Sequence, residues 1–216
     1  MGTFSVTELL RPGVLDGVTL MLAREGEDSP LGEALADAAG LLSAELSECP
    51  LPPQDEESLA GRLREAGPPD VLVVDAAGSF SAVAGTGTGA GTARTALSRT
   101  LQVTWEVTRV VAAAMIEQQR PGRIVFVSPP EDGGSPDTST CSRAARAGLE
   151  NLARTTSIEW ARYRITTVAI APGPDTSPGT VAALCAYLAS PAGSYFSGCV
   201  LALDGDGRVL PAAGRS

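Results

Sequence analysis

The sequence predicts an α/β protein in which a doubly wound parallel sheet lies between two layers of helices. Short, continuous apolar runs, which are typical of strands buried on both faces, alternate along the chain with longer segments that have helical spacing. Such alternation is the pattern of βαβ units, and a ligand is then expected at the carboxyl ends of the strands. With 216 residues and no visible repeat or linker, the chain is expected to form a single domain, residues 1–216.

The first half of the chain supplies two predicted strands and two predicted helices. Ser29 is a suitable N-cap for the first helix, and Pro30 suits its first position. The predicted elements are a strand at Val14–Leu22, a helix at Leu31–Leu46, a Pro-rich connector at Glu48–Gln54, a polar helix at Glu56–Glu65 and a strand at Val71–Val74.

The second half contains the longest helical patterns. In order we expect a low-complexity segment at Phe80–Thr92, a helix at Ala93–Gln119, a strand at Arg123–Val127, a loop at Pro129–Thr140, a helix at Ser142–Tyr163, a strand at Thr166–Ile170, a helix at Thr180–Ala189 and a strand at Val200–Leu203. The alternating glycines of residues 85–91 are interpreted as a flexible link. Their backbone N–H groups could alternatively cradle a phosphate, but no G-K-[ST] follows them.

Composition excludes several classes of function. The net charge of −9 and the pI of about 4.5 disfavour binding to nucleic acids or anionic membranes. The chain has no His and no Lys, since all sixteen basic residues are Arg, so a His base, a Lys Schiff base and a His-containing metal site are excluded. No metal site is expected. No apolar run is long enough to cross a membrane and no leader opens the chain, so a cytoplasmic location is expected.

From Asp70 onward the chain resembles the short-chain dehydrogenase/reductase family. The resemblance covers about two thirds of the chain and implies a Rossmann-like, three-layer fold that is shortened relative to the family. It rests on segments that occur in the family's order: Asp70–Val73 with Asp75-Ala76-Ala77-Gly78, Gly122–Ser128, Ala147–Ala161, Ile170-Ala171-Pro172-Gly173, and Ser197-Gly198 with Leu203-Asp204-Gly205.

The same resemblance places other residues at the family's four catalytic positions. The tyrosine position holds Ser142, and the lysine position four residues later holds Arg146. The catalytic serine position holds Pro129, and the asparagine position holds Thr100. A serine hydroxyl is far less acidic than a phenol, and arginine cannot replace lysine in shape or reach. The sequence therefore predicts that the family's catalytic set is missing.

The cofactor turn also departs from the family pattern. Of its glycines, Gly26 and Gly32 remain, while Glu25, Glu27 and Asp28 place negative charge where a diphosphate would lie. Residues 32–70 are too few for the usual second strand, its helix and a third strand, and residues 174–179 replace a substrate-binding lid. No bound cofactor is therefore expected.

The sequence leaves three functions open. The favoured hypothesis is a non-catalytic subunit that forms a homo- or hetero-oligomer through helices 93–119 and 142–163, the family's dimer helices, with an active family member as a possible partner. The first alternative is a divergent oxidoreductase that uses NAD or NADP on a ketone, alcohol or 3-oxoacyl substrate, with relocated residues drawn from Asp75, Glu131, Cys141 and Tyr163. The second is a ligand-binding or regulatory protein that uses the family's cleft at the carboxyl ends of the strands.

Overall fold

A seven-stranded sheet organises the molecule. The computed structural model describes residues 6–26, 29–53, 55–87, 89–131, 134–204 and 209–210. Its strands are β1 Thr19–Arg24, β2 Glu45–Pro50, β3 Val71–Asp75, β4 Gly122–Val127, β5 Ile165–Ala171, β6 Val200–Leu203 and β7 Val209–Leu210. Their order in the sheet is β2-β1-β3-β4-β5-β6-β7, and all neighbours pair in parallel except β6 and β7, which are antiparallel. The order reverses between β1 and β3, so the doubly wound prediction is confirmed.

Helices cover both faces of this sheet. Two apolar clusters lie on opposite faces, one containing Leu35 and Leu184 and the other containing Leu63, Val107 and Leu149. The helices are α1 Val6–Leu9, α2 Pro30–Leu42, α3 Glu56–Ala66, α4 Ala76–Ala84, α5 Ala90–Glu117, α6 Pro136–Glu159 and α7 Pro178–Ala189. Helices α2 and α7 pack together on one face, and α3, α5 and α6 form the layer on the other. The three-layer prediction is therefore confirmed.

Three predictions for the first half of the chain are wrong. The first strand begins at Thr19 rather than Val14, because Gly13 and Gly17 adopt positive φ angles and turn the chain. Helix α2 ends at Leu42 rather than Leu46, because Ser43 is left-handed with a φ of 61°. The predicted connector at Glu48–Gln54 overlaps β2, so the second strand that seemed to lack room is present and pairs with β1.

The Gly-rich segment is shorter than predicted. Phe80 belongs to α4, and α5 already begins at Ala90, which leaves the chain between Gly85 and Gly89 to join the two helices. Helix α6 begins at Pro136 and ends at Glu159, so it takes in part of the predicted loop at Pro129–Thr140. Strands β3 to β6 and α7 lie within two residues of their predicted bounds, and β7 was not predicted.

Some predicted features lie outside the described residues, namely Glu27, Asp28, Gln54, Thr88 and Gly205. Across the described ranges, no helix is both long enough and apolar enough to span a bilayer.

Candidate functional site: a cleft at the carboxyl ends of the strands

A cleft of about 570 Å³ opens at the carboxyl edge of the sheet, where the strand order reverses. The β1–α2 turn, the start of α4 and the segment after β5 form its walls. Five of its lining residues are prolines, which carry no backbone N–H: Pro30, Pro130, Pro172, Pro174 and Pro178. The fold therefore places a cleft where ligands of doubly wound sheets bind, and five of its lining residues offer no backbone donor.

The described residues of the β1–α2 turn leave few amides for an anion. Pro30 is the first residue of α2, and the Ser29 hydroxyl accepts a hydrogen bond from the Gly32 N–H at 3.1 Å. Gly26 has a φ of 76°, which requires a residue without a Cβ, and it forms the tip of the described part of the turn. Of the two glycines predicted from the sequence, Gly26 lines the cleft, whereas Gly32 does not and its amide already donates to the Ser29 side chain.

Glu25 and Asp75 are the carboxylates among the lining residues that the structure describes. The Glu25 carboxylate accepts hydrogen bonds from the Arg99 guanidinium of α5, the shortest at 2.8 Å. That ion pair fastens the turn to α5. It also neutralises the arginine that could otherwise have attracted an anion to the cleft.

Asp75 is a buried carboxylate at the end of β3. It is 4% exposed, its Oδ1 accepts from the Gly78 N–H at 2.8 Å, and its Oδ2 accepts from the Ser29 hydroxyl at 3.0 Å. A Cβ at Gly78 would lie 2.6 Å from Oδ2, so only glycine allows this approach. The carboxylate thus ties the β1–α2 turn to α4 from the floor of the cleft.

Burial raises the pKa of Asp75, although the hydrogen bonds from Gly78 and Ser29 and the charge of Arg24 act in the opposite direction. The neighbouring thiol of Cys185 on α7 has its pKa raised to about 12 by burial and by the charge of Asp75. Cys185 is therefore a neutral packing residue rather than a nucleophile.

Two of the four residues that the sequence predicts at the family's catalytic positions lie together in a second, smaller cavity. Pro129 and Ser142 line a space of about 310 Å³ between α4, the segment after β4, and α6. Ser142 is 2% exposed, and its hydroxyl donates to the Pro130 carbonyl. The hydroxyl at the tyrosine position is therefore bound to the backbone.

Arg146, at the lysine position, is tied to the end of β5. Its Nη1 donates to the Pro172 carbonyl at 2.9 Å and its Nη2 to the Ala171 carbonyl at 3.1 Å. The side chain is 11% exposed, and Nε lies 3.6 Å from a carboxylate oxygen of Glu131. The guanidinium therefore acts as a clasp between α6 and the β5–α7 segment, and it does not line the 570 Å³ cleft.

Thr100, at the asparagine position, is buried inside α5. It is fully buried, and its hydroxyl has no hydrogen-bond partner among the described residues. Thr104 and Thr108 on the same helix face share both properties. Thr100 lines neither the 570 Å³ cleft nor the 310 Å³ cavity.

The four alternative catalytic candidates lie in different parts of the structure. Tyr163 lies with Met115 and Gln119 at the amino-terminal edge of the sheet, so its expected closeness to the site is wrong. Cys141 lies in the first turns of α6. Asp75 lies in the cleft, and Glu131 faces Arg146. Within the described ranges, no group of three His, Cys, Asp or Glu residues could hold a metal ion.

Sequence reasoning missed Glu48, an acidic residue near the carboxyl end of β2. It was missed because β2 itself was interpreted as a connector. An acidic residue at the end of the second strand is where many dinucleotide-binding folds bind the adenosine ribose. Here the Glu48 carboxylate lies 2.6 Å from the Arg24 guanidinium, which also donates to the Gly26 carbonyl.

The comparisons with known proteins agree with this architecture. The sequence profile of the short chain dehydrogenases matches residues 54–183, which is more than half of the chain. The chain belongs to the short-chain dehydrogenase family. It is 29% identical over 165 residues to a probable 2,4-dienoyl-CoA reductase of Bacillus subtilis (strain 168), and the aligned region covers 63% of this chain and 65% of that relative.

Solved structures of the same fold superpose over most of the chain. A putative oxidoreductase from Escherichia coli K-12 has a TM-score of 0.65 at 23% identity, with 87% of this chain and 95% of that chain covered. A citronellol catabolism dehydrogenase from Pseudomonas aeruginosa PAO1 has a TM-score of 0.63 at 24% identity, covering 92% and 98%. An acetoin dehydrogenase from Salmonella typhimurium has 0.63 at 20%, covering 90% and 98%. At these identities the likeness shows the fold alone.

The family implies NAD or NADP, but the turn does not fit a diphosphate. Pro30 removes an amide from the helix N-terminus, and Ser29 occupies the amide of Gly32. Glu25 is paired with Arg99, and Asp75 adds a further acceptor rather than a donor to the cleft wall. Among the described residues of the turn, a diphosphate would therefore find few free donors.

Proposed function

We propose that this chain is a non-catalytic member of the short-chain dehydrogenase family that assembles with an active member. The observation that carries the proposal is the state of the catalytic positions. Arg146 and Ser142 both donate to main-chain carbonyls, and Pro129 has no group that could polarise a substrate carbonyl. The residues at these positions hold the scaffold together and leave no proton donor for a reacting oxygen.

The outer face of the α5–α6 layer supports assembly. Trp105 on α5 is 42% exposed and Ile158 on α6 is 78% exposed, so each helix offers a large apolar side chain to a partner. Ala144 and Ala147 on α6 are also exposed, and small residues let a partner helix approach closely. These are the helices through which the family dimerises, so the face suits a second subunit of the same fold.

The experiment is native mass spectrometry of the chain, alone and co-expressed with an active family member from the same genome. The expected result is a complex of defined stoichiometry that the double variant Trp105→Ser/Ile158→Ser no longer forms. The matched control is Leu41→Ser, because Leu41 is 52% exposed but lies on α2 in the opposite layer. A chain that stays monomeric with every active member would contradict the proposal, and a homodimer through the same face would contradict only the need for an active partner.

A divergent oxidoreductase remains the second candidate function. The family itself, the reductase relative and the position of Glu48 near the end of β2 favour it. Its substrate would be a ketone, an alcohol or a 3-oxoacyl compound, and its cofactor NAD or NADP. Saturable binding of either reduced nucleotide, followed by turnover with such a substrate, would establish this function.

A further inference from the structure

We propose that the cleft binds a small apolar organic amine, with the ammonium group at Asp75. This proposal concerns the chain by itself and does not rest on its assembly with another subunit. The cleft's volume of about 570 Å³ lies within the range of small-molecule sites. The inference follows from which chemical groups the wall offers and which it lacks.

The wall offers carbon surface over most of its area. Besides the five prolines, its apolar lining includes Leu31, Val127 and Val181. These side chains come from α2, β4 and α7, so they surround the cleft from different directions. An apolar body would gain about 25 cal/mol for each Å² that it buries there.

The wall offers acceptors but few donors. The amides of the lining residues Gly78 and Gly173 already donate to the side chains of Asp75 and Thr176, respectively, and the amide of Gly32, behind the wall, donates to Ser29. The prolines have no N–H, and the nearby guanidinium of Arg146 donates to main-chain carbonyls. An anionic ligand would therefore be desolvated without compensation.

Asp75 supplies the polar end of the site. An ionised carboxylate can accept about four hydrogen bonds, and the structure gives this one two, from Gly78 and Ser29. The remaining acceptor capacity lies at the floor of the cleft, on a side chain that is 4% exposed. An ammonium group would donate to this carboxylate and, together with the charge of Arg24, would favour its ionised form against the burial that raises its pKa. The contact would then be the stronger, charge-assisted kind of hydrogen bond.

The test compares three probes that share one carbon cage: 1-adamantanamine, 1-adamantanol and 1-adamantanecarboxylate. Calorimetric titration into the purified chain should give an affinity for the amine about tenfold or more above that of the alcohol, a difference of about 1.4 kcal/mol. The carboxylate should not bind. Equal binding of the three probes, or binding of none, would overturn the proposal.

Variants locate the binding in the cleft. Asp75→Asn keeps an N-cap for α4 and should reduce amine binding to the level of the alcohol. Ala82→Leu fills the cleft from α4 and should weaken both neutral and cationic probes, whereas Ala36→Leu, at an exposed position of α2 that does not line the cleft, should change neither. Amine binding that survives Asp75→Asn or Ala82→Leu unchanged would place the amine elsewhere and refute the proposal.

Discussion

Replacing Arg146 with lysine restores the residue type of the family's catalytic position, and it should destabilise this protein. The arginine holds two main-chain carbonyls at once, those of Ala171 and Pro172, through separate nitrogens at 3.1 and 2.9 Å. A lysine ammonium is a single point of charge on a flexible stem, so it cannot reproduce a planar, two-pronged contact. We therefore expect one of the two hydrogen bonds to be lost.

The magnitude follows from the burial of the group. Because the side chain is 11% exposed, solvent does not replace the lost partner. A hydrogen bond to a charged group contributes about 1.5–3 kcal/mol, so the free energy of unfolding should fall by about that amount. For a chain of this length the corresponding fall in Tm is roughly 3–12 °C.

Urea unfolding followed by circular dichroism measures this free energy directly. The matched control is Arg143→Lys, one turn earlier on α6 at an exposed position, which should change stability by less than about 0.5 kcal/mol. If Arg146→Lys is as neutral as Arg143→Lys, the two carbonyl contacts do not stabilise the fold. The arginine would then be free for another role, and the structural reading of this position would fail.

Three further perturbations test the packing around the site. Burial raises the folded-state pKa of Asp75 above the unfolded value of about 3.9, so its neutral form contributes stability that is present below about pH 4 and lost as pH rises toward the folded pKa. The stability of wild type minus that of Asp75→Asn, from urea unfolding at a series of pH values, should therefore fall above about pH 4, and a constant or rising difference would refute this. Ser29→Ala removes both the α2 cap and a donor to Asp75, so a urea series should show a loss of about 1–3 kcal/mol, whereas a loss below about 0.5 kcal/mol would show that neither bond matters. Gly122→Ala would place a Cβ 2.4 Å from the Met115 sulfur, so overpacking should cost about 1–3 kcal/mol and lower Tm by a few degrees per kcal/mol. Gly61→Ala on α3, where a Cβ would have no atom within 4 Å, should instead raise Tm. The reverse order of the two Tm values would contradict this packing.

The central strands could be predicted from the sequence because a strand that is buried on both faces consists of a continuous run of apolar residues. Val71–Val74 and Arg123–Val127 were found in this way, and β3 is buried along its entire length. The strand β2 lies at the edge of the sheet, and of its six residues only Cys49 is buried. A strand with so little buried surface has no apolar signal, so it was interpreted as a connector.

The site could be predicted only as far as local sequence describes it. The changed residues at the catalytic positions and the acidic character of the turn were visible in order along the chain. Their contacts were not, because they join distant segments: Arg146 reaches carbonyls about 25 residues away, and Ser29 bonds to Asp75 across 46 positions. The contacts of Arg146 with the end of β5 and of Ser29 with the buried Asp75 carboxylate therefore form only when the sheet brings these segments together.

The most direct test of the central claim is a calorimetric titration of NADH and NADPH into the purified chain. We expect no saturable binding of either nucleotide, because Pro30 has no N–H and Ser29 occupies the amide of Gly32, which leaves few amides at the start of α2 for a diphosphate. Saturable binding of one equivalent at micromolar concentration would contradict that claim. It would restore a cofactor-dependent oxidoreductase as the function of this cleft.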